Sequence, residues 1–402
     1  MTITTTLLRD LVDQLNDGLV NLRQDLHRHP ELGYEESWTS GRIRDELNAA
    51  GVPFVDGLAG GTGIVAHLQA SPGADNPATI ALRADMDALP IEEKTGRDWA
   101  SQTPGKMHAC GHDGHMTILV GAAKALAQMT RSNNVTFVFQ PAEEGGAGGR
   151  RMCEDGALLG DGKGGLGAPV DRIYGLHGWP EQPLGTIGTR GGPLLAATDE
   201  FEITIRGTQG HAAFPHFAKD PVVCAAHVVT ALQTLASRET NPVDASVCTV
   251  GSIHGGSAHN VIPSEVELIG TVRTLRDETR VAMRTRLHEL VKGVAQAMGC
   301  AADIAWHEGY PVTHNDAQLA DGVLRLGNAA LGDGRAMRIE DPFMGGEDFS
   351  YYGHHVPACF FTLGLKPQGA TSVPLLHQAE FDFNDEAIAV GVEMFCRLAI
   401  EG

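Results

Sequence analysis

MTILVGAAKALAQM, residues 116–129, decides how the rest of the chain is read. Its apolar run, TILVGAAKALAQM (117–129), is shorter than the roughly 20 residues a bilayer span needs, and it contains Lys124. It reads instead as a helix of a globular core. Two strand-like runs precede it, GTGIVAHLQ (61–69) and ATIALRADM (78–86), and two follow, VTFVFQ (135–140) and IYGLHGW (173–179). Strands alternating with helices predict an α/β layer: a mixed, mainly parallel sheet flanked by helices. In such sheets the strand ends and the loops just after them collect functional groups.

The pattern changes between 191 and 310. DEFEITIRG (199–207) alternates as a half-buried strand, and DPVVCAAHVVTALQTLAS (220–237) reads as a helix capped by Asp220. ASVCTVGSI (245–253) and EVELIGTVRTL (265–275) are strand-like, 277–299 is a long amphipathic helix, and ADIAWHEGY (302–310) is a last strand. The order β-α-β-β-α-β is that of the ferredoxin-like unit. It predicts an α+β domain (191–310) inserted into a discontinuous first domain, 1–190 and 311–402. A chain of 402 residues exceeds what one hydrophobic core usually supports, which agrees with two domains.

Charge narrows the partners. A formal net charge of −20, with no run of Lys and Arg, leaves nothing to neutralise phosphates. Nucleic acid and anionic membranes are therefore not expected as partners. The start, MTITTTLLRDLVDQLNDGLV, has no basic stretch before an unbroken apolar one; Asp10, Asp13 and Asp17 interrupt it at helical spacing. An amphipathic first helix is predicted rather than a signal peptide. The seven cysteines are odd in number and lack framework spacing, which suits a reduced cytoplasm.

MHACGHDGHM (107–116) concentrates His108, Cys110, His112, Asp113 and His115. A structural zinc site wants four N/S ligands in spaced pairs, and no second Cys pair answers this one. At most two or three of these residues bind metal, and other ligands come from elsewhere. FQPAEEGGAGG (139–149) places Glu143 and Glu144 just after an apolar strand; LRADMDALP (82–90) carries Asp85 and Asp87 at a strand end. GLHGWP (175–180) offers His177 and LLHQAEFDFND (375–385) offers His377. Taken singly, each has an ordinary explanation as a solvated turn, cap or core histidine. Four strand-end segments carrying donors within one sheet favour a metal centre.

The segments LHRHPELGYEE, ALRADMDALPIEE, MHACGHDGH, FQPAEEGGAGG, GLHGWP, GTQGHAAFPH, NVIP, GTVRT, GGEDFSYY and LHQAEFDFND run in order from about 23 to 385. Together they resemble the hippurate hydrolase-type amidohydrolases. That group includes auxin-conjugate hydrolases and N-acyl-amino-acid deacylases, within the aminoacylase–carboxypeptidase family of dinuclear metallohydrolases. The resemblance implies Cys110, His112, Glu144, His177 and His377 as metal ligands, with Cys110 linking two ions. It implies Glu143 as general base and Asp87 as a residue orienting a ligand. From the inserted domain it implies His211 for the oxyanion, in its own subunit or its partner's. Asn260 and Arg273 are implied for the substrate carboxylate, with Gly345 and Gly346 approaching it through backbone N–H groups and Glu347 near the metals. His108 and His115 match no ligand, and Asp85 is left without an assigned role.

The expected reaction is hydrolysis of N-acyl or N-aroyl L-amino acids, hippurate-like or N-acetyl, to a carboxylate and a free amino acid. Two divalent ions supply a nucleophilic water and polarise the carbonyl; mixed Cys, His and carboxylate ligands suit Zn²⁺, Mn²⁺, Co²⁺ or Ni²⁺. A homodimer or larger homo-oligomer through the inserted domain is implied. The rival activity is a dipeptidase or carboxypeptidase on the same scaffold. A non-catalytic metal- or metabolite-binding relative is disfavoured by the Glu143–Glu144 pair, and a thiol oxidoreductase by the lack of a resolving cysteine near Cys110.

Overall fold

The computed structural model describes residues 5–402; the first four residues of the expected N-terminal helix lie outside them. Two compact units divide the chain. One comprises residues 5–194, 314–341 and 348–402, and the other residues 195–313 with 342–347.

The first unit is built on an eight-stranded mixed sheet. Its centre is four parallel strands in the order Asn134–Gln140, Thr79–Asp85, Arg172–Pro183 and Ala358–Lys366. Antiparallel neighbours flank them: Gly63–Leu68 with Phe54–Leu58 on one side, and Ile187–Thr189 on the other, the latter joined by Ala336–Arg338. Thr79–Asp85 and Asn134–Gln140 are buried at every position, as strands covered on both faces must be. That burial takes in Arg83, Asp85 and Gln140, so these polar groups need partners inside the protein.

The first helix, Thr5–Arg28, buries Leu8, Val12, Leu19, Leu22 and Leu26 and exposes Asp10, Asp13 and Asp17. It packs on a second helix, His112–Ala127, which also meets Thr79–Asp85 and the C-terminal helix Ile388–Glu401. This second helix starts at His112, four residues before the stretch 116–129 predicts. Gly111 caps it in the left-handed conformation (φ +86°), and Asp113 sits favourably in its first turn. Asp113 and His115, polar residues that look like loop in the sequence, are helical here because each finds a buried partner.

Asp113 shows this. Its Oδ2 lies 3.0 Å from Arg23 Nε and 2.7 Å from His27 Nδ1, and all three side chains are fully buried. Arg23 also pairs with Asp382 and Asp385, and His27 Nε2 lies 3.3 Å from Glu93. Burial alone would push His27 down, but Asp113 and Glu93 outweigh it and raise its pKa from 6.5 to about 9. Protonated His27 therefore stabilises the folded state. The contribution is complete below about pH 6.5 and is lost as pH rises through about 9. The shift corresponds to something on the order of 3 kcal/mol. The urea midpoint is expected to fall across that window in the native protein and to flatten in His27→Gln. A native midpoint that stays level from pH 6.5 to 9 would contradict the assignment.

The second unit is a four-stranded antiparallel sheet in the order Ser246–His254, Glu265–Thr274, Ala197–Arg206, Ala301–Glu308. The helices Pro221–Thr234 and Asp277–Ala297 contribute Val228, Leu232, Leu287 and Val291 to its core, beside Phe201, Ile203 and Leu268. Asp220 caps the first helix, accepting from the backbone N–H groups of Val222 and Val223. Chain order and strand order together are those of the split β-α-β-β-α-β unit. Residues 342–347 join it through Gly345, whose carbonyl accepts from Ala196 N at 2.8 Å. Among the described residues no helix is long and apolar enough to cross a membrane. All seven cysteines are free thiols.

Candidate metal centre

The left-handed turn at Gly111 sets Cys110 and His112 side by side. A β-carbon at Gly111 would approach the Phe383 ring to 3.0 Å, and one at Gly114 to 2.5 Å, so this loop closes tightly on Phe383. Cys110 Sγ lies 3.3 Å from His177 Nε2. His177 is buried inside the strand Arg172–Pro183, a correction to its expected place after a strand end. The strand continues because its pairing with Ala358–Lys366 extends to Pro183. The Gly178 carbonyl, 2.8 Å from His177 Nδ1, can only accept, so Nδ1 carries the proton and Nε2 turns its lone pair to Cys110.

His115 is arranged the other way. Its Nε2 accepts from Gly178 N at 2.8 Å and its Nδ1 donates to Asp85 at 2.7 Å. Both nitrogens are spent, so His115 braces Asp85 and the His177 strand rather than presenting a lone pair. His108 is buried, with no hydrogen-bond partner among the described residues, and burial pushes its pKa down to about 4.

The two glutamates leave the sheet on a turn in which Ala142 is left-handed (φ +52°). Asp87 pins that turn: Oδ1 accepts from Glu143 N and Oδ2 from Glu144 N, each at 2.9 Å. Asp87 Oδ1 is also 3.5 Å from His112 Nδ1, the carboxylate–histidine arrangement that aims the other ring nitrogen at a metal. Glu144 Oε1 is 3.1 Å from His377 Nε2. His377 itself is held left-handed (φ +65°), its backbone N–H donating to Ala109 O at 2.8 Å. A left-handed non-glycine residue costs energy, and such strain gathers at functional sites.

Two triads emerge. Donor atoms of Cys110, His112 and His177 lie within 4.8 Å of one another, as do those of Cys110, Glu144 and His377. They share Cys110. A third group at the same spacing joins His112, Glu143 and Glu144. The charge pattern fits cations. Burial would lower His112, but Asp85, Asp87 and Glu144 override it and raise its pKa to about 10. Burial and the acids Glu144, Glu143 and Asp85 push the Cys110 thiol well above its ordinary range. Neither His112 nitrogen makes a hydrogen bond. Such a thiol is a poor redox nucleophile, whereas a dication would relieve the accumulated negative charge.

The residues expected from the inserted domain all lie in the second unit. Gly210–His211 pairs with Val261–Ile262, and Ala212 N donates to Asn260 O at 3.0 Å, which brings His211 and Asn260 together. His211 Nδ1 accepts from Ala213 N at 3.0 Å, so its Nε2 is the nitrogen left to donate. Arg273 stands half-buried on Glu265–Thr274, opposite Thr198 and Val247. A β-carbon at Gly346 would meet Thr198 Cγ2 at 2.2 Å, and the Glu347 carbonyl accepts from Thr313 Oγ1.

Sequence reasoning missed three supporting groups. Glu36 is buried, accepts from Ala142 N (2.9 Å) and Thr62 Oγ1 (2.9 Å), and is raised to about 7 by burial and by Asp87. Arg83 and Asp348 form a buried pair beside Glu143. The signal available for them was charge inside strands and segments that read as fully apolar or turn-like.

The mixed α/β sheet gathers Cys, His and carboxylate triads at one end of its parallel strands, a donor set suited to divalent transition-metal ions. Residues 81–401 match peptidase family M20/M25/M40, and the chain belongs to that family. Within it the chain sits with the hippurate and auxin-conjugate hydrolase branch, whose members hydrolyse amide C–N bonds. It is 40% identical to the N-acetyldiaminopimelate deacetylase of Enterococcus faecalis over 379 residues, covering 94% of this chain and 96% of that one. It is 36% identical to the IAA-amino acid hydrolase ILR1-like 4 of Arabidopsis thaliana over 95% of this chain and 85% of the other. Among solved structures it is similar to the Bacillus subtilis YXEP protein, a dinuclear metal binding peptidase from the M20 family. That structure has a TM-score of 0.81 and 32% identity, over 96% of this chain and 98% of that one.

Proposed function

We propose that the protein removes an acyl or aroyl group from the nitrogen of an L-amino acid, using two divalent transition-metal ions per chain. The observation that carries this reading is the pair of ligand triads sharing Cys110, with Glu143 beside them. Cys110, His112 and His177 would hold one ion, Cys110, Glu144 and His377 the other, with Cys110 between them. When bound, such a pair supplies an activated water and polarises the amide carbonyl.

The chain's own groups do the rest. Glu143, buried on a turn that Asp87 fixes, takes the proton of the attacking water and passes it to the leaving nitrogen, which departs poorly as an anion. Asp87 orients His112. From the second unit, His211 would donate from Nε2 to the developing oxyanion. Asn260, the Arg273 fork and the Gly345–Gly346 backbone would hold the substrate carboxylate. A homodimer or larger homo-oligomer through the second unit would let His211 serve a partner's centre.

The test is a hydrolysis panel on metal-reconstituted protein: N-acetyl and N-benzoyl amino acids against free-amine dipeptides. Release of acetate or benzoate, with the dipeptides turned over much more slowly, is expected. Turnover confined to the dipeptides would overturn the acyl-amino-acid reading in favour of a dipeptidase.

A further inference from the structure

One fully buried cation takes no part in the ligand set yet pairs with groups that lead toward both of its sides. Arg83, on Thr79–Asp85, donates from Nη1 to Asp85 Oδ2 at 2.7 Å, from Nε to Gln140 Oε1 at 2.8 Å, and from Nη2 to Asp348 Oδ1 at 2.8 Å. Asp85, Gln140 and Asp348 lie on three separate stretches of chain.

Asp85 leads toward the histidines. It accepts from His115 Nδ1 at 2.7 Å and lies 3.8 Å from His112 Nε2. Asp348 leads toward the base. Its carboxylate also accepts from Gln140 Nε2 (2.8 and 2.9 Å) and from Gly149 N (2.8 Å). With the side chain clamped in this way, the Asp348 backbone N–H is aimed at Glu143 Oε1, 3.3 Å away. Gln140 locks the arrangement, its Oε1 accepting from both Arg83 and Tyr352 Oη (3.1 Å).

We propose that Arg83 is a positioning residue that ties the histidine side of the site to Glu143, through Asp85 in one direction and Asp348 in the other. The proposal rests on the reading of Glu143 as the base. Two buried carboxylates flank this guanidinium, and an unpaired charge there would be costly. A lysine could balance charge but could not meet acceptors on three elements, because an ammonium lacks the rigid planar fork.

The experiment compares Arg83→Lys, Asp348→Asn, their double variant and Glu143→Gln in full-length, metal-reconstituted protein. It reads kcat, KM, metal per chain and the thermal midpoint of the metal-free form. Arg83→Lys is expected to lower kcat by about 10- to 100-fold, the usual effect of losing a group that orients a site residue. KM and metal content should change little. The double variant should be no worse than the more affected single one, because both break the same link.

Folded Arg83→Lys and Asp348→Asn proteins with native kcat would overturn the proposal, whatever their thermal midpoints. So would a loss of activity that tracks loss of metal and is fully restored by excess metal, which would confine Arg83 to supporting Asp85. Should Arg83→Lys fail to fold, the nearly isosteric Asp348→Asn alone decides. An inactive Glu143→Gln beside an unaffected Arg83→Lys removes the link and keeps the base. A fully active Glu143→Gln removes the base, and the link with it.

Discussion

Glu143→Gln is expected to lower kcat by about 10²- to 10⁴-fold, the range associated with loss of a general acid–base. Glutamine keeps the size of the side chain and can still accept from Asp348 N. The turn that carries it is held by Asp87 through the backbone, not through the Glu143 side chain. Fold and metal content should therefore survive, and the loss should fall on kcat. Steady-state kinetics with metal analysis of the same sample checks this. Undiminished turnover at full metal content would remove Glu143 from the reaction and leave the base to another group.

Stripping the ions with a chelator is expected to abolish hydrolysis, and Mn²⁺, Zn²⁺, Co²⁺ or Ni²⁺ to restore it to differing extents. The same ions should raise the thermal midpoint of the stripped protein, by an amount equivalent to about 2.7 kcal/mol at a hundred times Kd. The sign of the pH dependence follows from the site. Without a cation, His112 stays protonated up to about pH 10 and the Cys110 thiol is held in its protonated form. Both must lose a proton to bind, so metal affinity should rise with pH and binding should release protons. Calorimetry in buffers of different ionisation enthalpy measures that release. A stripped protein that hydrolyses its substrate, or whose midpoint ignores these ions, would defeat the metal-centre reading.

The fold was legible because its signals are local. Alternating strands and helices, Asp220 before an apolar helical run, and the two-residue period of 199–207 each depend on neighbours in sequence. The donor residues were legible for a related reason: Cys, His and paired acids at strand ends are conspicuous among apolar runs. What was not legible depends on which buried charge faces which. The start of the His112–Ala127 helix looked like loop because nothing nearby reveals that Asp113 meets Arg23 and His27 on another helix. His177 lies within the strand Arg172–Pro183, and His115 meets the same strand from a helix. Only the Gly178 carbonyl on one and the Gly178 N–H on the other separate a ring with a lone pair to offer from a ring fully engaged.

The sequence by itself therefore determined the α/β layer, the β-α-β-β-α-β unit and the residue types available for a dinuclear site. Periodicity and residue chemistry are properties of the chain. The tertiary structure decided which donors converge on Cys110, which histidines are spent as braces, and that Arg83 pairs with Asp85 and also with Asp348, 265 positions from Arg83 in the chain. Those outcomes turn on hydrogen-bond direction and on burial that forces every charge to find a partner. Both exist only once distant segments share one interior.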